Sequence, residues 1–109
     1  MNKLMLTLFA FAAACTSSMA IADAASGQAK AKQVCAACHG ENGDKPLQPD
    51  YPTLAGQHRD YLAKALSDYK SGARKNAIMG AQAQTLTPAE IRDLAEWFST
   101  RSGPLAIKH

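Results

Sequence analysis

The run Cys35-Ala36-Ala37-Cys38-His39 places two thiols three residues apart and an imidazole directly after the second. On a helical turn, thiols at that spacing share one face. C-x-x-C-H is the attachment signature of a covalently held haem. Cys35 and Cys38 are set to bond the two vinyl groups of one porphyrin. His39 then falls under the iron as its proximal ligand. A chain containing this run has to close around a large, flat, apolar plate.

Two other chemistries use similar residues. A thioredoxin-type redox disulfide also reads C-x-x-C, but it is expected beside a strand–helix pattern, and no strand pattern is legible here. A zinc site needs a fourth ligand, and no second cluster stands at finger spacing. The adjacent histidine and the export signal described next favour haem.

Residues 1–22 read as a secretory leader. Asn2-Lys3 is a short basic stretch, and Leu4 to Ala14 is an apolar run. Ala20-Ile21-Ala22 then fits an A-x-A cleavage site. Ala22-Asp23-Ala24 fits as well, which would move the start of the mature domain, 23–109, by two residues. The apolar run is shorter than the roughly 20 residues of a spanning helix. The expected location is the periplasm. Cys15 ends the apolar run where a lipoprotein carries its lipidated cysteine, but the usual leucine three positions upstream is missing. A lipid anchor through Cys15 is therefore the minor reading.

The full chain has a formal charge of +3. Lys3 leaves with the leader, and two haem propionates would bring the holoprotein near neutrality. That excludes a strongly basic nucleic-acid binder but permits a local lysine patch. A domain this small has a thin core and normally needs a staple. Only two cysteines survive processing, and both belong to the haem motif. The haem is then the staple, and the haem-free chain is expected to be largely unfolded.

Three helical stretches and two loops follow the leader. The first helix is predicted from Asp23 or Ser26 to about Ala37, with Gly27, Ala31, Val34 and Cys38 recurring on one narrow face. Gly27 costs about 1 kcal/mol of helix propensity against alanine, which suggests close approach by another helix. The Gly40–Gly56 segment is rich in glycine, proline, asparagine and aspartate and is expected to wrap one side of the haem. A second helix is predicted over Gln57–Lys70 and closed by Gly72. Ala73–Leu86 reads as a loop. The third helix opens on Thr87-Pro88-Ala89-Glu90, a capping box with proline at the first position and a staple between Leu86 and Ile91. Gly103-Pro104 is the expected stop.

The iron needs a second axial ligand. Met79 is the only methionine outside the leader, in a segment far enough from His39 to reach the opposite haem face. A thioether favours Fe(II) and raises the potential relative to a second imidazole. His58, in a first helical turn with polar neighbours, and His109, at the terminus, are the competitors. The supporting carbonyl for the other nitrogen of His39 is expected from a loop proline, Pro46 or Pro49. Tyr51, Tyr61, Tyr69 and Trp97 read mainly as core, with hydroxyls or N–H groups available to propionates. Arg59, Arg74 and Lys75 are solvated or propionate-pairing cations, with Arg74 favoured for pairing by its nearness to the Met79 segment.

The residues that carry a wider resemblance begin with Gly27 and the segment from Val34 to Gly40. They continue through Pro52-Thr53-Leu54-Ala55-Gly56-Gln57, Tyr61-Leu62, Tyr69-Lys70-Ser71-Gly72, Ile78-Met79 and Leu86-Thr87 to Trp97. In this order they resemble a bacterial class I cytochrome c, of the small periplasmic kind whose domains also occur in di-haem forms. The resemblance implies an all-α fold of three main helices and long loops around one haem c. It implies crossed first and last helices, with Gly27 against Trp97. It further implies axial ligation by His39 and Met79 and one-electron transfer between redox protein partners. Relatives often carry further methionines around the axial one; here Met79 stands alone.

The expectation is thus an electron shuttle and not an enzyme, a monomer without stable membrane insertion or nucleic-acid partner. Lys30, Lys32, Lys45 and Lys75 are candidates to rim the docking edge. The alternative is a five-coordinate haem that binds a small molecule or peroxide as sensor or catalyst, which requires Met79 to be off the iron.

Overall fold

A computed structural model describes residues 9–16 and 21–106. Among them are five helices and no strand: α1 (Ala24–Val34), α2 (Ala36–His39), α3 (Arg59–Ser71), α4 (Ala77–Gln84) and α5 (Pro88–Ser99). The expected leader, residues 1–22, lies partly outside the described residues, and His109 lies outside them. No helix of the described residues is long and apolar enough to cross a membrane.

The fold is organised by the crossing of α1 and α5. Gly27 has no side chain because none fits. A Cβ placed there would collide with the Asp93 carbonyl and stand 2.9 Å from the Trp97 Cβ. Ala31, one turn on, is buried in the same contact. The expected pairing of Gly27 with Trp97 is present. The ends of the crossing are tied by polar contacts. The Asp23 side chain caps α1 by accepting from the Ala25 amide at 3.0 Å and from the Ser26 hydroxyl at 2.7 Å, while the Asp23 amide donates to the Asp93 carboxylate at 2.8 Å. The Ser26 bond, then the Ala25 bond, holds the Asp23 carboxyl below its usual range. Lys30 and Glu90 form an ion pair.

Helix α5 starts as its sequence dictates. The Thr87 hydroxyl accepts from the Glu90 amide, and the Glu90 carboxylate accepts from the Thr87 amide, each at 3.1 Å. Leu86 and Ile91 are both buried. Leu94, Ala95, Trp97 and Phe98 then carry the core stripe, with Leu94 wholly inaccessible. Leu62 of α3 and Ala31 of α1 complete the cluster. The helix ends at Ser99, before the predicted Gly103-Pro104 stop. The Thr100 hydroxyl bonds back to the Glu96 and Trp97 carbonyls and terminates it.

Two other boundaries differ from the sequence reading. The first helix ends at Val34, and Cys35 (φ −107°, ψ −34°) introduces a bend before α2. The Cys35 amide still donates to the Ala31 carbonyl, and the Cys38 and His39 amides both donate to the Cys35 carbonyl, so the helical ladder is interrupted at the turn and resumes beyond it. The Ala73–Leu86 segment contains α4 where a loop was expected. It lacks an apolar stripe and has a glycine in its middle, so periodicity conceals it. What makes it helical is Asn76, whose side chain accepts from the Ile78 and Met79 amides at 3.0 and 2.9 Å. Ala83 is fully buried, and Lys70 and Gln84 exchange side-chain bonds to each other's carbonyls across α3 and α4.

The long loop after His39 is held at several points. Gly43 accepts from the Leu54 and Ala55 amides at 2.7 and 3.1 Å, and the Gly56 amide donates to the Phe98 carbonyl at 2.9 Å. Gly43 (φ 70°) is buried; a Cβ there would stand 2.8 Å from the Phe98 ring. A left-handed backbone pressed against an aromatic ring admits only glycine.

Candidate haem site

The bend at Cys35 turns the two cysteines and His39 toward a cavity of about 530 Å³ between the long loop, α3, α4 and the core. Such a volume lies within the roughly 300–1,000 Å³ of small-molecule and cofactor sites. Cys35, Cys38, His39 and Met79 all line it, so the four residues singled out by the sequence are brought together. Leu54, Leu62, Leu66, Leu94 and Phe98 supply apolar wall. The cavity is therefore greasy where a porphyrin needs it and bears N and S donors where an iron needs them.

His39 is buried, 7 % exposed. Its Nδ1 stands 3.0 Å from the Pro52 carbonyl oxygen. The nitrogen is the donor, since a carbonyl only accepts, and this fixes the proton on Nδ1 and leaves Nε2 as the lone-pair donor toward the cavity. The expectation of a prolyl carbonyl holds in kind, but Pro46 and Pro49 are not the source. Gly43 pulls the Thr53–Ala55 stretch inward and brings Pro52 with it. The Tyr51 ring also borders the imidazole, with centroids 6.2 Å apart.

Cys35 is partly buried, and burial pushes its thiol up to about 11, with Lys30 opposing and Cys38 adding to the rise. A buried protonated thiol is a poor nucleophile and a poor zinc ligand. Cys35 and Cys38 are both free, with no disulfide between them, and no group of three or more His, Cys, Asp or Glu side chains that could hold a metal ion exists among the described residues. The donor set suits a porphyrin iron rather than a bare cation.

Met79 lies in the first turn of α4, two amides of which are held by Asn76. Sequence reasoning missed Asn76, though an asparagine preceding Ala-Ile-Met is a legible cap signal. His58 stands elsewhere. It is the N-cap residue of α3 and not within its first turn, and it lines a separate polar cavity with Arg59, Ser99, Thr100 and Arg101. Arg59 pairs with Asp60 and Glu96. Of the four lysines considered for docking, Lys30 pairs with Glu90 and Lys32 with Glu41, whereas Lys45 and Lys75 have no carboxylate at ion-pair distance among the described residues. Trp97 donates its indole N–H to the Glu41 carbonyl at 3.4 Å and carries the Arg101 guanidinium 3.6 Å over its ring, so its role is packing.

Comparison with known proteins agrees with this geometry. Residues 24–102 match the model of the cytochrome c family. The chain is 44% identical over 81 residues to a cytochrome c4 of Thiocapsa roseopersicina, covering 74% of this chain and 41% of that protein. It is 40% identical over 82 residues to cytochrome c-554(548) of Halomonas halodenitrificans, covering 72% and 96% of the two chains. It superimposes on the crystal structure of reduced recombinant cytochrome c4 from Pseudomonas stutzeri with a TM-score of 0.70 at 37% identity, covering 76% of this chain and 47% of that one. The chain thus spans about half the length of the cytochromes c4 it matches. A cytochrome c domain carries covalently bound haem c, and Cys35-Ala36-Ala37-Cys38-His39 supplies the attachment motif in the cavity wall. The chain belongs to the cytochrome c family and has the all-α fold of its class I members.

Proposed function

We propose that this chain is a mono-haem, one-electron carrier of the periplasm, with His39 and Met79 as the two axial ligands of its iron. The observation that carries the reading is the shared cavity. Cys35, Cys38, His39 and Met79 line it together, while His58, the competing imidazole within the described residues, lines another. One C-x-x-C-H run occurs in the sequence, which fits one haem. When bound, the haem supplies reversible Fe(III)/Fe(II) chemistry.

The residues around it do the rest. His39 keeps its proton on Nδ1, against Pro52, and presents Nε2. Asn76 holds the turn that presents Met79. The apolar wall excludes water. With both axial positions taken there is no open site for substrate, so the protein is a carrier and not an enzyme. One electron enters from a reduced donor protein and leaves to an oxidised acceptor through a small, weak contact. Lys45 and Lys75, which have no carboxylate at ion-pair distance among the described residues, are available to that contact. Residues 1–22 act as the export leader of a monomeric domain formed by 23–109, and Cys15 is lost with the leader.

The optical spectrum of the oxidised holoprotein tests the ligand set. Thioether ligation to ferric haem gives a weak long-wavelength charge-transfer band. The band is expected in the native protein and absent from Met79→Ala. Its persistence in that variant would refute Met79 as the ligand, and its absence from the native protein, with ready binding of a small exogenous ligand, would establish the five-coordinate alternative. Electron-transfer rates that fall as salt rises support docking through the lysines; salt-independent rates remove it.

A further inference from the structure

Arg74 is the one lysine or arginine among the described residues that line the haem cavity. Its Nη1 donates to the Tyr61 hydroxyl at 3.4 Å, and its guanidinium carbon stands 4.8 Å from the centroid of the Tyr69 ring. Both tyrosines line the cavity as well. No carboxylate lies at ion-pair distance from Arg74 among the described residues. The side chain is exposed, so it stands at the cavity mouth and not in its depth. A cation aimed by two aromatic residues, with Asp68 acting on it only from beyond ion-pair distance, is an incomplete pair.

Haem c brings the missing half. It carries two ionised propionates, which are costly to bury and belong where water remains. We propose that Arg74, held by Tyr61 and Tyr69, is the counter-charge to the haem carboxylates and through them biases the iron toward Fe(II). The inference rests on the haem assignment above and gives Arg74 a positioning role. A fixed positive charge stabilises an electron arriving nearby, and it offsets propionate charges that would oppose that electron. Because the site is exposed, the effect is a modest one. A planar guanidinium can stack on Tyr69 and meet a carboxylate with its fork at once; an ammonium keeps the charge and loses the geometry.

The test is a spectroelectrochemical titration of the holoprotein and four variants: Arg74→Gln, Arg74→Lys, Tyr61→Phe and Arg92→Gln. Arg92 is exposed on α5, outside the cavity lining, and serves as the charge control. Only protein with haem c absorbance and unchanged helical circular dichroism is titrated, so a failure of haem attachment appears before any potential is read. Arg74→Gln is expected to shift the iron toward Fe(III) by about threefold or more, ~30 mV at 59 mV per tenfold. Arg74→Lys should recover most of that shift. Tyr61→Phe should move the potential the same way by less, and Arg92→Gln should barely move it. A shift in Arg74→Gln no larger than in Arg92→Gln would overturn the proposal and leave Arg74 a solvated surface charge.

Discussion

The Nδ1 of His39 lies 3.0 Å from the carbonyl oxygen of Pro52, a backbone acceptor thirteen residues along the chain. Because the acceptor is main chain, the pyrrolidine ring is dispensable to the bond. Pro52→Ala should therefore keep the haem spectrum and the axial ligand. It should cost about 0.4–1 kcal/mol through the extra freedom of the unfolded chain. Denaturant titration and the absorption spectrum of the same sample check both halves. Loss of the native spectrum would mean that the ring itself positions the imidazole.

Gly27→Ala sets two effects against each other. Alanine gains about 1 kcal/mol of helix propensity, but its Cβ would collide with the Asp93 carbonyl and crowd the Trp97 Cβ. Overpacking of this kind costs roughly 1–3 kcal/mol, and here the clash is with backbone that has to move. Net destabilisation of about 1–2 kcal/mol is expected in denaturant unfolding of the holoprotein. A neutral or stabilising outcome would mean that the α1–α5 crossing slides apart at little cost.

Asn76→Ala removes the side-chain acceptor for the Ile78 and Met79 amides. Loss of a cap costs about 1 kcal/mol, and in this protein it falls on the turn that presents Met79. The long-wavelength band of the ferric protein should weaken on heating at a lower temperature than in the native protein. Asn76→Asp, which retains an acceptor, should restore it. Equal band loss in both variants would dissociate the cap from the ligand.

The thiol of Cys35 offers a pH-dependent measure of the haem-free chain. In the folded arrangement burial raises it from 9.0 to about 11. The folded state then holds the proton more tightly than the unfolded one. Its stabilising contribution is complete below pH 9 and is lost as pH rises toward 11. The haem-free chain is expected to be unfolded, so at pH 8 Cys35 should react with iodoacetamide as fast as Cys38. Selective protection of Cys35, relieved between pH 9 and 11, would show a folded apoprotein.

Legibility in the sequence varied with the range of the cause. The α5 capping box rests on residues within one turn, and it was readable in full. Gly27 announced a close approach but could not alone name its partner, which lies on the last helix. Helix α4 was hidden because Gly80 and the absence of a stripe mask it, while its cap and its packing against α3 sustain it. The Pro52 carbonyl was equally invisible: any of the loop prolines can offer one, and the choice is made by Gly43, which folds the loop onto Phe98. The four residues that share the cavity were legible because their chemistry, rather than their conformation, marks them.

That same loop has two kinds of position. Gly43 is clamped between Leu54 and Phe98, and the Leu47 amide is tied to the Cys38 carbonyl at 2.8 Å, while the side chains of Glu41, Asn42, Lys45, Leu47 and Gln48 face solvent. The backbone is anchored from within, so the outward side chains are interchangeable without disturbing the iron's surroundings. One segment thus separates heredity from negotiation: its inner ties preserve the chemistry, and its outer face is free to drift toward new partners.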